Sequence, residues 1–182
     1  MTRAPRASAL ALAAASAAVL LSASGVSAGT IRIGRGIDAW RLGQKLELAP
    51  GLVRFERHRE NDRYGCDLGP RTASRIDYYP GLRLSWRGLG SPASLYLMDV
   101  ATTRAGDRSA TGFVIGQSRL AQVRARHPSA RLSRPGHRDR YALGTAALTL
   151  TRATGDETWD DLTYWFDAAG KLVAIQAGAG GC

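Results

Sequence analysis

Lysine is nearly missing from this chain, with Lys45 and Lys171 the only two among 25 basic residues. Cysteine is as scarce, at Cys66 and Cys182, and histidine is limited to His58, His127 and His137. Each shortage excludes something. Two cysteines cannot build a multiply bridged mini-scaffold or a four-thiolate zinc site. Three histidines far apart in sequence supply no pair at metal-ligand spacing. There is also no GxSxG nucleophile turn and no Walker loop, so the local signatures of α/β-hydrolases and P-loop nucleotide enzymes are absent. No cofactor is expected. Beyond residue 28 no apolar run approaches the roughly 20 residues that a membrane-spanning helix needs.

What is present begins with a leader. Arg3 and Arg6 stand without an acid, residues 9–21 are almost wholly Ala, Leu and Val, and Val26, Ser27 and Ala28 form a small-residue end. That grammar predicts a signal peptide over residues 1–28, cleaved near Ala28, and a secreted or periplasmic mature protein. Export places Cys66 and Cys182 where disulfides persist, and a bond between them is expected to tie the end of the chain to its first half. The formal net charge of +10 falls to about +8 once Arg3 and Arg6 are removed. A field of that sign draws polyanions, envelope polymers or acidic proteins. Nucleic acid is not expected as a partner outside the cytoplasm.

The chain loosely repeats itself. Residues 39–44, AWRLGQ, match residues 112–117, GFVIGQ, and HRENDRY at 58–64 matches HRDRY at 137–141. The predicted units are residues 29–104 and 105–182, each about half of the exported chain. In the second unit Ser118 precedes an apolar spacing at Leu120 and Val123 and then Pro128, which predicts a helix with Ser118 as its cap. Residues 141–151 read as a strand. Leu162, Tyr164 and Phe166 alternate, residues 167–170 turn, and Val173, Ile175 and Ala177 alternate back, which is a hairpin. In the first unit Pro50 and Gly51 shorten any helix, residues 53–57 could be extended, residues 64–68 should form a strand, and Leu82, Leu84 and Trp86 should pair with Leu95, Leu97 and Asp99. The fold class expected is α+β, two loosely duplicated units, each a short helical segment packed on a small antiparallel sheet.

The turn Ile115, Gly116, Gln117, Ser118, Arg119 with Val123, and its counterpart Leu42, Gly43, Gln44, Lys45, together with the duplication and export, carry a resemblance. The chain resembles the tandem-repeat beta-lactamase inhibitory protein family and small outer-membrane assembly lipoproteins that hold one such unit. The resemblance implies that architecture for about 140 residues. Its motif spans fewer than ten. Here Gln follows Gly where the inhibitor-like repeats commonly have Met and Thr, and the cysteines do not fall within one repeat. No inhibitor contact is transferred.

Candidate binding residues are two basic clusters, Arg57, His58, Arg59 and Arg63 in the first unit, and His137, Arg138 and Arg140, preceded by Arg134, in the second. Arginine forks suit carboxylate or phosphate, and histidine adds pH dependence. The plainer reading pairs them with Glu60, Asp62 and Asp139 on solvated loops, where ion pairs are worth roughly 0–1 kcal/mol. Asp156, Glu157, Asp160 and Asp161 surround Trp159, a natural partner contact if exposed. Their spacing does not fit a Ca²⁺-binding hand loop. These observations point to a secreted, non-enzymatic binding module, inhibitor-like in form, for a protein or cell-envelope partner. The alternatives are a polyanion-binding envelope protein using the Arg clusters and a hydrolase whose Ser, His and Asp meet only in space.

Overall fold

The computed structural model describes residues 28–60, 72–89, 94–136, 141–155 and 158–181. Alternating residues dominate them, and about half of these described residues lie in strands. Three two-residue strands come first, β1 Thr30–Ile31, β2 Gly36–Ile37 and β3 Trp40–Arg41. Then follow β4 Arg54–Glu60, β5 Thr72–Tyr79, β6 Leu82–Leu89 and β7 Tyr96–Thr102. After β8 Arg108–Ser109 comes the helix α1 Leu120–Arg126, then β9 Arg131–Ser133, β10 Ala146–Ala153, β11 Thr158–Phe166 and β12 Leu172–Gly181.

Eight of these strands form one antiparallel sheet in the order β4-β5-β6-β7-β12-β11-β10-β9. The expected two separate helix-on-sheet units are therefore not what the chain forms, and the α+β assignment gives way to a mostly β architecture with one short helix. Two physical causes account for the difference. The last strand of each half pairs with the other, Val100 opposite Ala177 and Thr102 opposite Ile175, so two four-stranded meanders fuse and bury what would otherwise be two open edges. The first half also cannot support a helix between residues 29 and 53. Gly34, Gly36, Gly43 and Gly51 all adopt positive φ, as does Asp38, and Pro50 removes a donor, so turns recur before a helical turn can propagate.

Only one face of the sheet is apolar enough to be packed. Leu84, Trp86, Leu97, Val100, Leu148, Leu162, Tyr164, Phe166, Ile175 and Ala177 share it and are buried. Each buried Leu, Ile, Val or Phe among them contributes roughly 1.5–3 kcal/mol when fully removed from water. The irregular segment of β1–β3 covers the first half, with Ile31 and Ile37 buried and Trp40 against Tyr79 and Trp86, at ring-centroid separations of 5.4 and 6.1 Å. The loop of Phe113 and Ile115 with α1 covers the second half, where Phe113 meets Tyr164 edge to face at 5.7 Å.

The two matched turns dock alike. Gly43, at φ 81°, donates its amide to Leu97 at 2.8 Å, and Gly116, at φ 86°, donates to Leu172 at 2.9 Å. Each turn is thus pinned to a central strand of the sheet by a residue in the left-handed region that favours glycine. The helix starts at Leu120 and ends at Arg126, before His127 and Pro128 as the sequence leads one to expect. Its cap differs. Ser118 Oγ accepts from Val114 N instead, and Arg119 N donates to Gln122 Oε1 at 2.8 Å.

The hairpin of β11 and β12 forms as expected, closed by Asp167, whose Oδ1 accepts from Ala169 N and Lys171 N, and by Gly170 at φ 73°. A β-bulge opposite Trp165 and Phe166 leaves Val173 as an extra residue, so Leu172 rather than Val173 takes the core position. Residues 53–57 are extended in β4 and its approach, and β6 pairs with β7. The strand expected at residues 64–68 lies outside the described residues, as do Cys66 and Cys182. Residues 101–110, which span the boundary expected between the two units, are ordered structure, with β8 pairing in parallel with β1. Among the described residues no helix is long and apolar enough to cross a membrane.

Candidate functional site

A second β-bulge decides what the uncovered face of the sheet can do. Ser85 and Trp86 are consecutive on β6, yet they oppose Asp99 and Leu97 on β7, which leaves Met98 as the extra residue. Strict alternation from Leu97 would drive Asp99 into the core; the bulge turns it onto the open face. Across the neighbouring strands the register runs Asp99, Gly178, Asp161, so two carboxylates flank a residue with no side chain. Gly178 leaves the space over the sheet clear: a Cβ there would lie 3.5 Å from Asp99 Oδ2.

Around that gap is a cavity of about 310 Å³ on the open face, whose lining includes Arg83, Ser85, Asp99, Tyr141, Trp159 and Asp161. Gln176, opposite Ala101 on β7, holds Asp99 in place. Its Nε2 donates to Asp99 Oδ2, while its own Oε1 accepts from Trp165 Nε1 at 2.7 Å. Arg83 Nη1 donates to the Tyr141 carbonyl at 2.7 Å. Three of the enclosed polar atoms that lack hydrogen-bond partners among the described residues belong to side chains lining this cavity: Arg83 Nε, Asp99 Oδ1 and Asp161 Oδ1. Burial pushes the Asp99 carboxyl up to about 6, opposed by the Gln176 hydrogen bond and the Arg83 charge and reinforced by Asp161. Trp159, 36% exposed, lies at the rim with its ring against Gly180, where a Cβ would come within 2.3 Å of the indole. Gly180 is therefore what lets the indole lie down on the sheet.

Of the basic residues singled out in sequence, Arg57 lies exposed on β4, an edge strand, with its guanidinium 5.3 Å from the Phe55 ring centroid. His58 and Arg59 follow in the same strand, so this part of the cluster is extended sheet edge rather than loop. Charges on an edge strand also discourage pairing with another chain. Arg63, His137, Arg138 and Arg140 lie outside the described residues, as do Asp156 and Glu157. Asp160 pairs with Arg152 at 2.6 Å, away from the cavity. Trp159 and Asp161 both line the cavity, so half of the acidic cluster's described members belong to the site.

Asp99, Arg83 and Gln176 were missed. One signal was available: in the run Leu95, Leu97, Asp99 an acid occupies what alternation marks as a core position, and such a residue is either paired inside or turned away by a bulge.

Among the described residues no three His, Cys, Asp or Glu side chains come together as a metal site would need. The arrangement instead offers two acceptors and one guanidinium donor beside an aromatic face. Comparison of the chain with protein-family models, with curated proteins and with solved structures finds no match.

Proposed function

We propose that the protein is an exported, non-enzymatic binding module that takes a segment of envelope glycan on the open face of its sheet. The observation that carries the reading is the unpaired set Arg83 Nε, Asp99 Oδ1 and Asp161 Oδ1 beside the exposed indole of Trp159. Enclosed polar atoms without partners are costly, and a ligand that completes them recovers that cost. A sugar hydroxyl both donates and accepts, so neighbouring hydroxyls can serve the two carboxylates and the guanidinium at once. The C–H face of a pyranose then suits the flat, apolar ring of Trp159.

The test is co-sedimentation with insoluble peptidoglycan, chitin and cellulose, followed by titration with soluble oligosaccharides of whichever polymer retains the protein. Trp159→Ala and Asp161→Asn should each weaken retention at least tenfold while leaving the fold intact. Retention unchanged in both variants, or no retention on any polymer, would remove the reading, and capture of a protein in its place would favour the inhibitor-like alternative. Salt-sensitive retention lost only on substitution of Arg57 would point instead to the polyanion reading.

One observation favours a second reading, hydrolysis of such a glycan: Asp99 keeps its proton to about pH 6 and could pass it to a glycosidic oxygen while Asp161 accepts a proton from the attacking water. Reducing ends released by the wild type and not by Asp99→Asn would establish it. Their absence at every pH between 4 and 8 would dismiss it.

A further inference from the structure

The chain enters the folded body abruptly. Ala28 is exposed and Gly29 is buried, so the boundary between outside and inside falls on one peptide bond. Gly29 N lies 2.7 Å from Asp107 Oδ1. Asp107 is 1% exposed, and its other oxygen accepts from Thr102 Oγ1 at 2.5 Å and from Arg104 Nε at 2.8 Å. Arg104 also reaches Asp38 through Nη2 at 2.6 Å. The space around Gly29 is closed: a Cβ would lie 2.6 Å from Asp38 Oδ1 and 2.9 Å from both Arg104 Nη2 and Ile37 Cδ1. The Gly29 carbonyl accepts from Arg108 N at 3.0 Å, beside the pairing of β1 with β8.

In this cluster two carboxylates, Asp38 and Asp107, share one guanidinium. Arg32, Arg35 and Arg41 line a shallow cavity with Asp38, but none of them makes a described contact with Asp107. The bond that separates exposed Ala28 from buried Gly29 is also the one that follows the small-residue sequence Val26, Ser27, Ala28.

We propose that Asp107 is the receptor for a new N-terminus: cleavage after Ala28 frees a Gly29 α-ammonium that binds the Asp107 carboxylate and closes the covering layer onto the sheet. The proposal rests on the export reading. Hydrolysis of the Ala28–Gly29 bond adds water, leaving the Ala28 carboxylate on the leader and the ammonium on the mature chain. An amide offers Asp107 one hydrogen, whereas the ammonium offers three and a positive charge, which evens the count of two acids against one base. A charge-assisted contact of this kind is about twice as strong as a neutral one. A larger residue after the cleavage point would have to displace the ends of the Asp38, Arg104 and Ile37 side chains.

The experiment is to express the full chain with export in a bacterial host, determine the N-terminus of the product by intact mass, and acetylate the folded protein at pH 7 with limiting anhydride. Lys45 and Lys171 are both exposed and serve as internal references. A free α-amine, with its ordinary pKa near 7.7–8.0, acetylates well ahead of lysine at that pH. Held by Asp107, it should lose that lead and react no faster than the two lysines, and Asp107→Asn should restore it. A product that begins elsewhere than Gly29 defeats the expected cleavage point, and the proposal with it. A product that begins at Gly29 and acetylates there first overturns the Asp107 pairing alone. That comparison is made within the wild type, so it stands even if the Asp107→Asn variant does not fold.

Discussion

The two faces of the sheet each bury an aspartate, and the two are built in opposite ways. On the packed face Asp77, fully buried, sits opposite Leu84 and is held by Arg75 Nε at 2.5 Å, with the Arg75 guanidinium 4.4 Å from the centroid of the Phe55 ring. On the open face Asp99 has only the neutral amide of Gln176 as a direct partner; each acid keeps one oxygen unpaired, but only Asp77 has a cation on the other. A charge with a cation beside it is part of the scaffold; a charge with a neutral partner and an open cavity is held ready for something else. The first arrangement makes removal of the acid costly. The second makes retention of the acid costly.

Breaking the packed-face pair should have the largest effect. Asp77→Ala leaves Arg75 buried without its counter-charge and should lower unfolding stability by about 3–5 kcal/mol, as is usual for half of a buried ion pair, measured by denaturant titration. Replacing both partners, Arg75→Met with Asp77→Leu, should recover most of that loss.

The open-face substitution should act with the other sign. Asp99 binds its proton more tightly when folded, so its ionisation costs stability as pH rises from the ordinary carboxylate range through about 6. Asp99→Asn should therefore be more stable than wild type at pH 8, by about 3 kcal/mol at most, and no more stable at pH 3. A loss of stability at pH 8 would place Asp99 with Asp77 and erase the contrast.

The smallest effect concerns His127, stacked on Tyr164 at 6.0 Å and edge-on to Phe113 at 5.8 Å. Burial, helped by Arg126, lowers its pKa, so the folded protein holds fewer protons there than the unfolded chain. Its contribution is present above the ordinary histidine range and is lost as pH falls through about 6.5. His127→Phe should flatten that slope in thermal scans between pH 5 and 7.5, leaving the opposing slope of Asp99 to stand alone.

How much of this the residues announce depends on the interaction that sets each element. The hairpin of β11 and β12 and the helix ending before Pro128 follow from local chemistry: alternation, an Asp–Gly turn, a proline stop. So does the pairing of β6 with β7. The fused sheet does not, because the meeting of Val100 with Ala177 spans the two halves and no local period encodes which edge finds which. The bulges at Met98 and Val173 escape for another reason. Each is a single extra residue that shifts register without altering composition, yet one of them decides which face receives Asp99. In the first half, alternation cannot distinguish a helix made short by Pro50 from a run of glycine turns; the positive φ angles decide it. Trp159 and Asp161 were legible because they stand together in sequence. Arg83, Asp99 and Gln176 come from three strands and become a group only when the sheet closes.

The strand β12, the last of the described strands, lies in the middle of the sheet, between β7 and β11. Synthesis reaches β7 and β11 before β12, so the sheet must wait with a vacant central lane until the ten residues of β12 have been made. A chain stopped before Leu172 would not keep most of a fold; it would present two adhesive edges, β7 and β11, to each other and to every neighbouring copy. The hazardous interval is the one between the completion of β11 and the arrival of β12, when those edges have to be held apart.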